Sequence, residues 1–338
     1  AIAQKNRGST HHHGRQTVQA WCLALHDLDD AARTGQLQAN AEQRSDRNTP
    51  LAAHPQSRPH SGHEAAAGGT PGTDRGSHFA VETTHGESSL SKTVVITGAS
   101  SGIGKALALE FAQRGYNLGL AARRLDKLEA LRAEIVLLPG CQNLQVEVIE
   151  LDVNKTDTVG PVLHTLFSHL NQVDVVIVNA GVNELTSIGK GQLNEELGLI
   201  QTNLLGAIAT VNAAVEWFKQ AGGGQLVGIS SLASLTPIPK QAAYCATKAA
   251  FSMYLDSAAI ELKKYKIDVT KILPGFVKTD IVDNMDKFPF VVSAEQAAKE
   301  MAQHIEKRRS TGVVPAYPWK LLKPLLANMP SGVWRYMK

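Results

Sequence analysis

The chain has 338 residues, 43% apolar and 19% charged, with a net charge of +3. That is length enough for one large domain, and the small positive balance, with no basic stripe interleaved with aromatics, excludes a nucleic-acid surface. The three cysteines (Cys22, Cys141, Cys245) have neither metal-ligand nor disulfide spacing, and there is no run of about eighteen apolar residues to span a membrane, so the composition suits a reducing, cytoplasmic setting.

Residues 1–90 hold nine of the twelve histidines and much Gly, Ser, Thr, Gln and Arg. Such a segment buries too little apolar surface to offset its ordering entropy, so it reads as a low-complexity, disordered leader with one short helix over 18–32. His11-His12-His13 reads as a solvated tract rather than a metal site. From residue 91 the pattern becomes orderly. Apolar runs predict strands over 93–97, 117–122, 145–151, 173–178, 225–230 and 267–273. Helical periodicity predicts helices over 103–114, 125–135, 156–170, 200–220, 241–264 and 294–307. Gly115 closes the first helix, and Ser293 with Gln296 forms a capping pattern at the start of the last. Alternating β and α segments with near-continuous apolar strands imply an α/β fold, a Rossmann-like doubly wound parallel sheet with helices on both faces, over 91–318. A basic, apolar tail occupies 319–338.

The first strand runs into Thr97-Gly98-Ala99-Ser100-Ser101-Gly102-Ile103-Gly104. Gly98 permits a tight turn, Gly102 lets backbone N–H groups approach a pyrophosphate, and Gly104 permits close helix-to-strand packing. Any tight turn can use glycine, but a strand before and a helix after give the dinucleotide-binding context. The second strand ends in Ala122-Arg123-Arg124, where an NAD site places a carboxylate for the ribose diol. Guanidinium groups suit a 2′-phosphate, so NADP(H) is expected in preference to NAD(H). In the plainer reading, Arg123 and Arg124 are solvated charges opening the next helix.

Tyr244 and Lys248 are four residues apart, and Ser231 lies thirteen before the tyrosine. A free phenol titrates near ~10, and Lys248, one helical turn away, is expected to lower that value enough for acid–base work. A phosphate cradle and an activated tyrosine point to hydride transfer to or from a carbonyl. No spacing of His, Cys, Asp or Glu suggests a metal.

With these motifs the chain resembles the short-chain dehydrogenases/reductases, in the single-domain branch with a Thr-Gly-x-x-x-Gly-x-Gly loop and a Tyr-x-x-x-Lys pair, over about 91–315. The resemblance implies a catalytic set of Asn203, Ser231, Tyr244 and Lys248, with Tyr244 and Lys248 also contacting coenzyme. It implies that Asp152 and Val153 line the adenine pocket. Asn179-Ala180-Gly181 would run beside the coenzyme, with Val178 in place of the asparagine that often precedes them. Asn203 would hold water leading to Lys248; its plainer reading is a polar residue within a helix. Pro274-Gly275-Phe276-Val277-Lys278-Thr279 would cover the nicotinamide, Val277 at its carboxamide and Thr279 near the phosphates. Ser231 is preferred to Ser230 on its spacing, and Tyr254 and Cys245 read as packing residues.

Specificity is expected from the loop over 183–190 and from an apolar lid over 281–292 carrying Met285, Phe288, Phe290 and Val291, which suggests a lipophilic carbonyl or alcohol. From Lys307 onward there are seven basic residues and no acidic one. The tail reads equally as a peripheral membrane contact, a subunit contact or a cover over the substrate cleft. The resemblance also implies a homodimer or homotetramer through the helices over 200–220 and 241–264. The alternative function is a regulator that binds NADP without turnover, against which the intact Ser-Tyr-Lys set argues.

Overall fold

Seven apolar segments form one parallel sheet in the computed structural model, which describes residues 91–279 and 290–327. The strands are β1 (Thr93–Thr97), β2 (Asn117–Ala122), β3 (Val146–Glu150), β4 (Val175–Val178), β5 (Gly224–Ile229), β6 (Ile267–Pro274) and β9 (Thr311–Val314). Their order is β3-β2-β1-β4-β5-β6-β9, and every neighbouring pair is parallel. A two-residue ribbon pairs β7 (Val277–Lys278) with β8 (Val292–Ser293).

Parallel neighbours need crossovers, and helices supply them. On one face α1 (Gly102–Gln113), α2 (Leu125–Val136) and α7 (Ala294–Glu306) pack a core around Leu107, Phe111, Leu128 and Met301. On the other, α3 (Thr156–Leu170), α5 (Ala207–Ala221) and α6 (Ala242–Leu262) enclose Leu163, Phe167, Val211, Phe218 and Leu255. Burial on both faces explains why β4 is apolar throughout and β1 carries the unbroken run Val94–Ile96 instead of alternating. Strand order reverses beside β1, which has β2 on one side and β4 on the other. A crevice opens there, outside the carboxyl ends of the strands.

Two expected helix boundaries hold in detail. Gly115 has φ +79°, the left-handed region that ends α1, and Ser293 Oγ accepts the Gln296 N–H at 3.2 Å. Others differ. The helix expected from residue 200 begins earlier, as α4 (Leu193–Ile200), passes through a π-helical turn at Gln201–Gly206 and continues as α5. The whole run, Leu193–Ala221, is 29 residues and, among the described residues, the one helix long and apolar enough on average to cross a membrane, although Glu195, Glu196, Gln201, Thr202 and Asn203 interrupt it, so it is not a continuous apolar run. More than half of its most apolar window, 56%, is buried inside the domain, as in a core helix. Edge strand β9 and helix α8 (Trp319–Ala327) were not expected. The apolar run of β9 is short, and Pro324 within Trp319–Ala327 counts against a helix. The leader, the short helix over 18–32, His11–His13 and residues 328–338 of the tail lie outside the described residues, as does most of the expected lid, including Met285 and Phe288.

Candidate active site

The glycine loop is held by backbone fit. The Gly98 N–H donates to Ala121 O at 2.7 Å, and φ at Gly98 is +69°. A side chain at Gly98 would meet Ala180 Cα at 2.8 Å, and one at Gly104 would overlap the Gly98 carbonyl. The loop therefore lies flat against the end of β4. Thr97 ties the two strands: its Oγ1 accepts the Asn179 N–H at 3.1 Å and the Ala180 N–H at 3.3 Å. Asn179 Nδ2 returns a bond to Thr97 O at 3.0 Å.

The start of α1 is open. Ser101, its first flanking residue, makes no side-chain cap, and the first turn carries no acid. Its unpaired N–H groups and positive dipole end face a cavity of about 790 Å3 that Ser100, Ser101, Ile103 and Gly104 line. The donor set fits a pyrophosphate. At the end of β2 stand Ala122, Arg123 and Arg124 with no carboxylate, and Arg124 Nη2 donates to Ser100 Oγ at 2.9 Å and Ser101 Oγ at 2.8 Å. A fixed guanidinium and two hydroxyls suit a further phosphate. Arg123 is exposed and lines the same cavity. Asp152 and Val153 line it beyond β3.

At the other end the cavity is bounded by Asn179, Ala180, Gly181, Ser231, Tyr244, Lys248, Pro274, Gly275, Val277 and Thr279. Ser231 and Ser230 are separated by geometry. Ser230 Oγ points into the domain, 3.0 Å from Lys248 O and 2.7 Å from Ser252 Oγ. Ser231 Oγ accepts the Ala233 N–H at 3.1 Å and is near enough to the Tyr244 hydroxyl to lower its pKa. Tyr244 and Lys248 share one face of α6, as their spacing predicts. Lys248 is 6% exposed and donates to Ile229 O at 3.0 Å.

Asn203 lies behind the cavity wall, in the π-helical turn and 1% exposed. Its Oδ1 accepts the Val182 N–H at 2.8 Å and its Nδ2 donates to Val182 O at 2.8 Å. It is thus a clamp on the strand-end loop, not an idle polar residue within a helix. A side chain at Gly181 would stand 3.2 Å from Asn203 Oδ1 and 3.6 Å from Lys248 Nζ, which shows how closely these groups converge. Cys245 and Tyr254 pack in the domain, Cys245 at 9% exposure.

One electrostatic expectation is corrected. The Tyr244 phenol is raised above its ordinary value, not lowered: desolvation dominates and the Ser231 hydrogen bond only partly opposes it. Lys248 Nζ sits 5.9 Å from the ring centroid, and burial lowers its own pKa to about 8. A cation that is itself poorly solvated, and bonded to a carbonyl, does not offset the loss of water around the phenol.

The substrate end has residues that the motifs did not reveal. Leu232, Thr236, Ile238, Trp319 and Leu326 line the cavity, beside Phe276 of the loop expected to cover the nicotinamide. The signal for Trp319 was an aromatic residue opening an amphipathic segment just after Pro318.

The family profile described as short chain dehydrogenase matches residues 92–289. An uncharacterised oxidoreductase of Myxococcus xanthus is 36% identical over 234 residues, 69% of this chain and 90% of that protein. The 11-beta-hydroxysteroid dehydrogenase 1A of Arabidopsis thaliana is 30% identical over 265 residues, 71% of this chain and 74% of that one. Among solved structures, a short-chain dehydrogenase from Sphingobium yanoikuyae in complex with NADPH has a TM-score of 0.62 at 26% identity, covering 71% of this chain and 96% of its own.

Proposed function

The chain belongs to the short-chain dehydrogenase family and is a nicotinamide-dependent oxidoreductase; from that premise we propose that it interconverts a carbonyl and an alcohol on a lipophilic small molecule, with NADP(H) as coenzyme. The observation that carries this reading is the convergence of Ser231, Tyr244 and Lys248 on one end of a cleft whose other end offers Arg124, Ser100 and Ser101 to a phosphate.

Bound in this cleft, the nicotinamide supplies a hydride in reduction and accepts one in oxidation. The chain's own residues handle the oxygen and the proton. As negative charge grows on the carbonyl oxygen, the Tyr244 hydroxyl protonates it and Ser231 gives a second hydrogen bond. A phenol held above its ordinary pKa is protonated at neutral pH, which suits reduction. Lys248, with a pKa of about 8, is acidic enough to return a proton to the phenolate left behind. Asn203 positions this end by holding Val182 beside Gly181.

A lipophilic substrate is supported by the apolar lining from Leu232, Ile238, Phe276, Trp319 and Leu326, and by the hydroxysteroid name of the Arabidopsis relative. Met253 and Ile260 of α6 are 63% and 81% exposed, which suits a homodimer through the two long helices. Tyr244→Phe tests the central role. It is expected to lower kcat by about 10²- to 10⁴-fold while leaving NADPH binding intact. Retained turnover would overturn the assignment.

A further inference from the structure

Helix α8 belongs to the wall of the cleft. Its apolar positions Trp319, Leu322 and Leu326 recur at helical spacing and pack with Leu232, Leu235, Leu273, Phe276 and Val313 into a small core separate from the two that flank the sheet. Leu232 follows Ser231 directly, and Phe276 follows Gly275, so this core joins the two loops that border the reacting end. Trp319 is at its centre. It is 8% exposed, lines the cavity, and meets Phe276 and Phe290 in T-shaped contacts with centroids 5.6 and 6.0 Å apart. A side chain at Gly275 would come within 2.7 Å of its Nε1, so the indole lies directly on the backbone of the loop expected to cover the nicotinamide. The indole N–H is buried without a hydrogen-bond partner among the described residues.

We propose that Trp319 is a specificity-determining residue: its ring is the apolar wall against which the body of the substrate rests, so the cleft selects carbonyl compounds carrying a flat apolar group over small ones. This deepens the carbonyl-reductase reading and rests on it. Aromatic area gives an apolar ligand surface to bury, and a small ketone reaches none of it.

The test uses the full chain with NADPH, and benzylacetone and acetone as probes. Trp319→Ala is expected to raise the KM for benzylacetone about tenfold more than the KM for acetone. Trp319→Phe, which keeps an aromatic wall, is expected to stay within about threefold of the wild type. If the alanine variant does not fold, Trp319→Leu takes its place, with an expected rise of about threefold in the same KM. Equal losses on both ketones, or lost NADPH affinity, would make Trp319 a structural prop only and overturn the proposal. Calorimetry of benzylacetone on the NADP⁺ complex gives the same comparison without turnover. Weaker binding to the alanine variant with no turnover in either protein would uphold the wall and sink the carbonyl reading. Equal binding to both proteins, or none to the wild type, would sink the wall.

Discussion

Lys248 shows how a residue's burial trades stability for chemistry. Its ammonium is nearly out of water and its pKa falls from 10.5 to about 8. Between these two values the unfolded chain binds more protons than the folded one, so stability rises with pH across that window. Below pH 8 the full penalty of the buried charge applies, about 3 kcal/mol at ~1.4 kcal/mol per unit. Lys248→Met in the coenzyme-free protein is therefore expected to raise the urea midpoint at pH 7 and abolish turnover. The gain in midpoint should shrink as pH climbs from 8 towards 10, and a constant gain would contradict the assignment. The same group predicts that kcat/KM for reduction falls as pH rises through about 8. Tyr244 was legible because the four-residue spacing fixes its helix face. The direction of its pKa was not, because desolvation depends on which distant segments cover α6.

At the scale of elements, the turn after β1 and the turn after β2 act together. Arg124 comes from the second, yet its guanidinium is bonded to Ser100 and Ser101 of the first. Arg124→Ala is expected to raise the KM for NADPH by about ten- to hundredfold and that for NADH far less, the size of a lost charge-assisted contact. Equal effects on the two coenzymes would remove the 2′-phosphate assignment. The glycine loop was readable in the sequence because each glycine answers a local need: a left-handed turn at Gly98, and contact with the Gly98 carbonyl at Gly104. The π-helical turn was hidden: Thr202, Asn203 and Gly206 are weak helix formers, but such residues do not distinguish a π-helical turn from an α-helical one. Its effect, a clamp from Asn203 on Val182, emerges only when α4 and the end of β4 are packed together.

For the whole molecule, the described core is assembled from Val94 to Leu326, and the family match begins at residue 92. A chain starting at Ser89 is expected to fold with the same cooperative urea transition and the same kcat as the full one. Loss of the transition would show that residues 1–88 contribute to the fold. Parallel pairing from β3 through to β9 joins segments distant in sequence, since parallel neighbours are linked by crossovers rather than hairpins.

The order of apolar strands and helices, the phosphate-binding turn, the Tyr244–Lys248 pair and the arginines after β2 were determined by the sequence, because each depends on neighbours within a few residues along the chain. Tertiary structure alone decided that the Ser230 hydroxyl is tied to Ser252 and Lys248, that burial raises the Tyr244 pKa, and that Trp319 lines the cleft. Those outcomes depend on burial and on contacts between segments far apart in the chain, which no local pattern encodes.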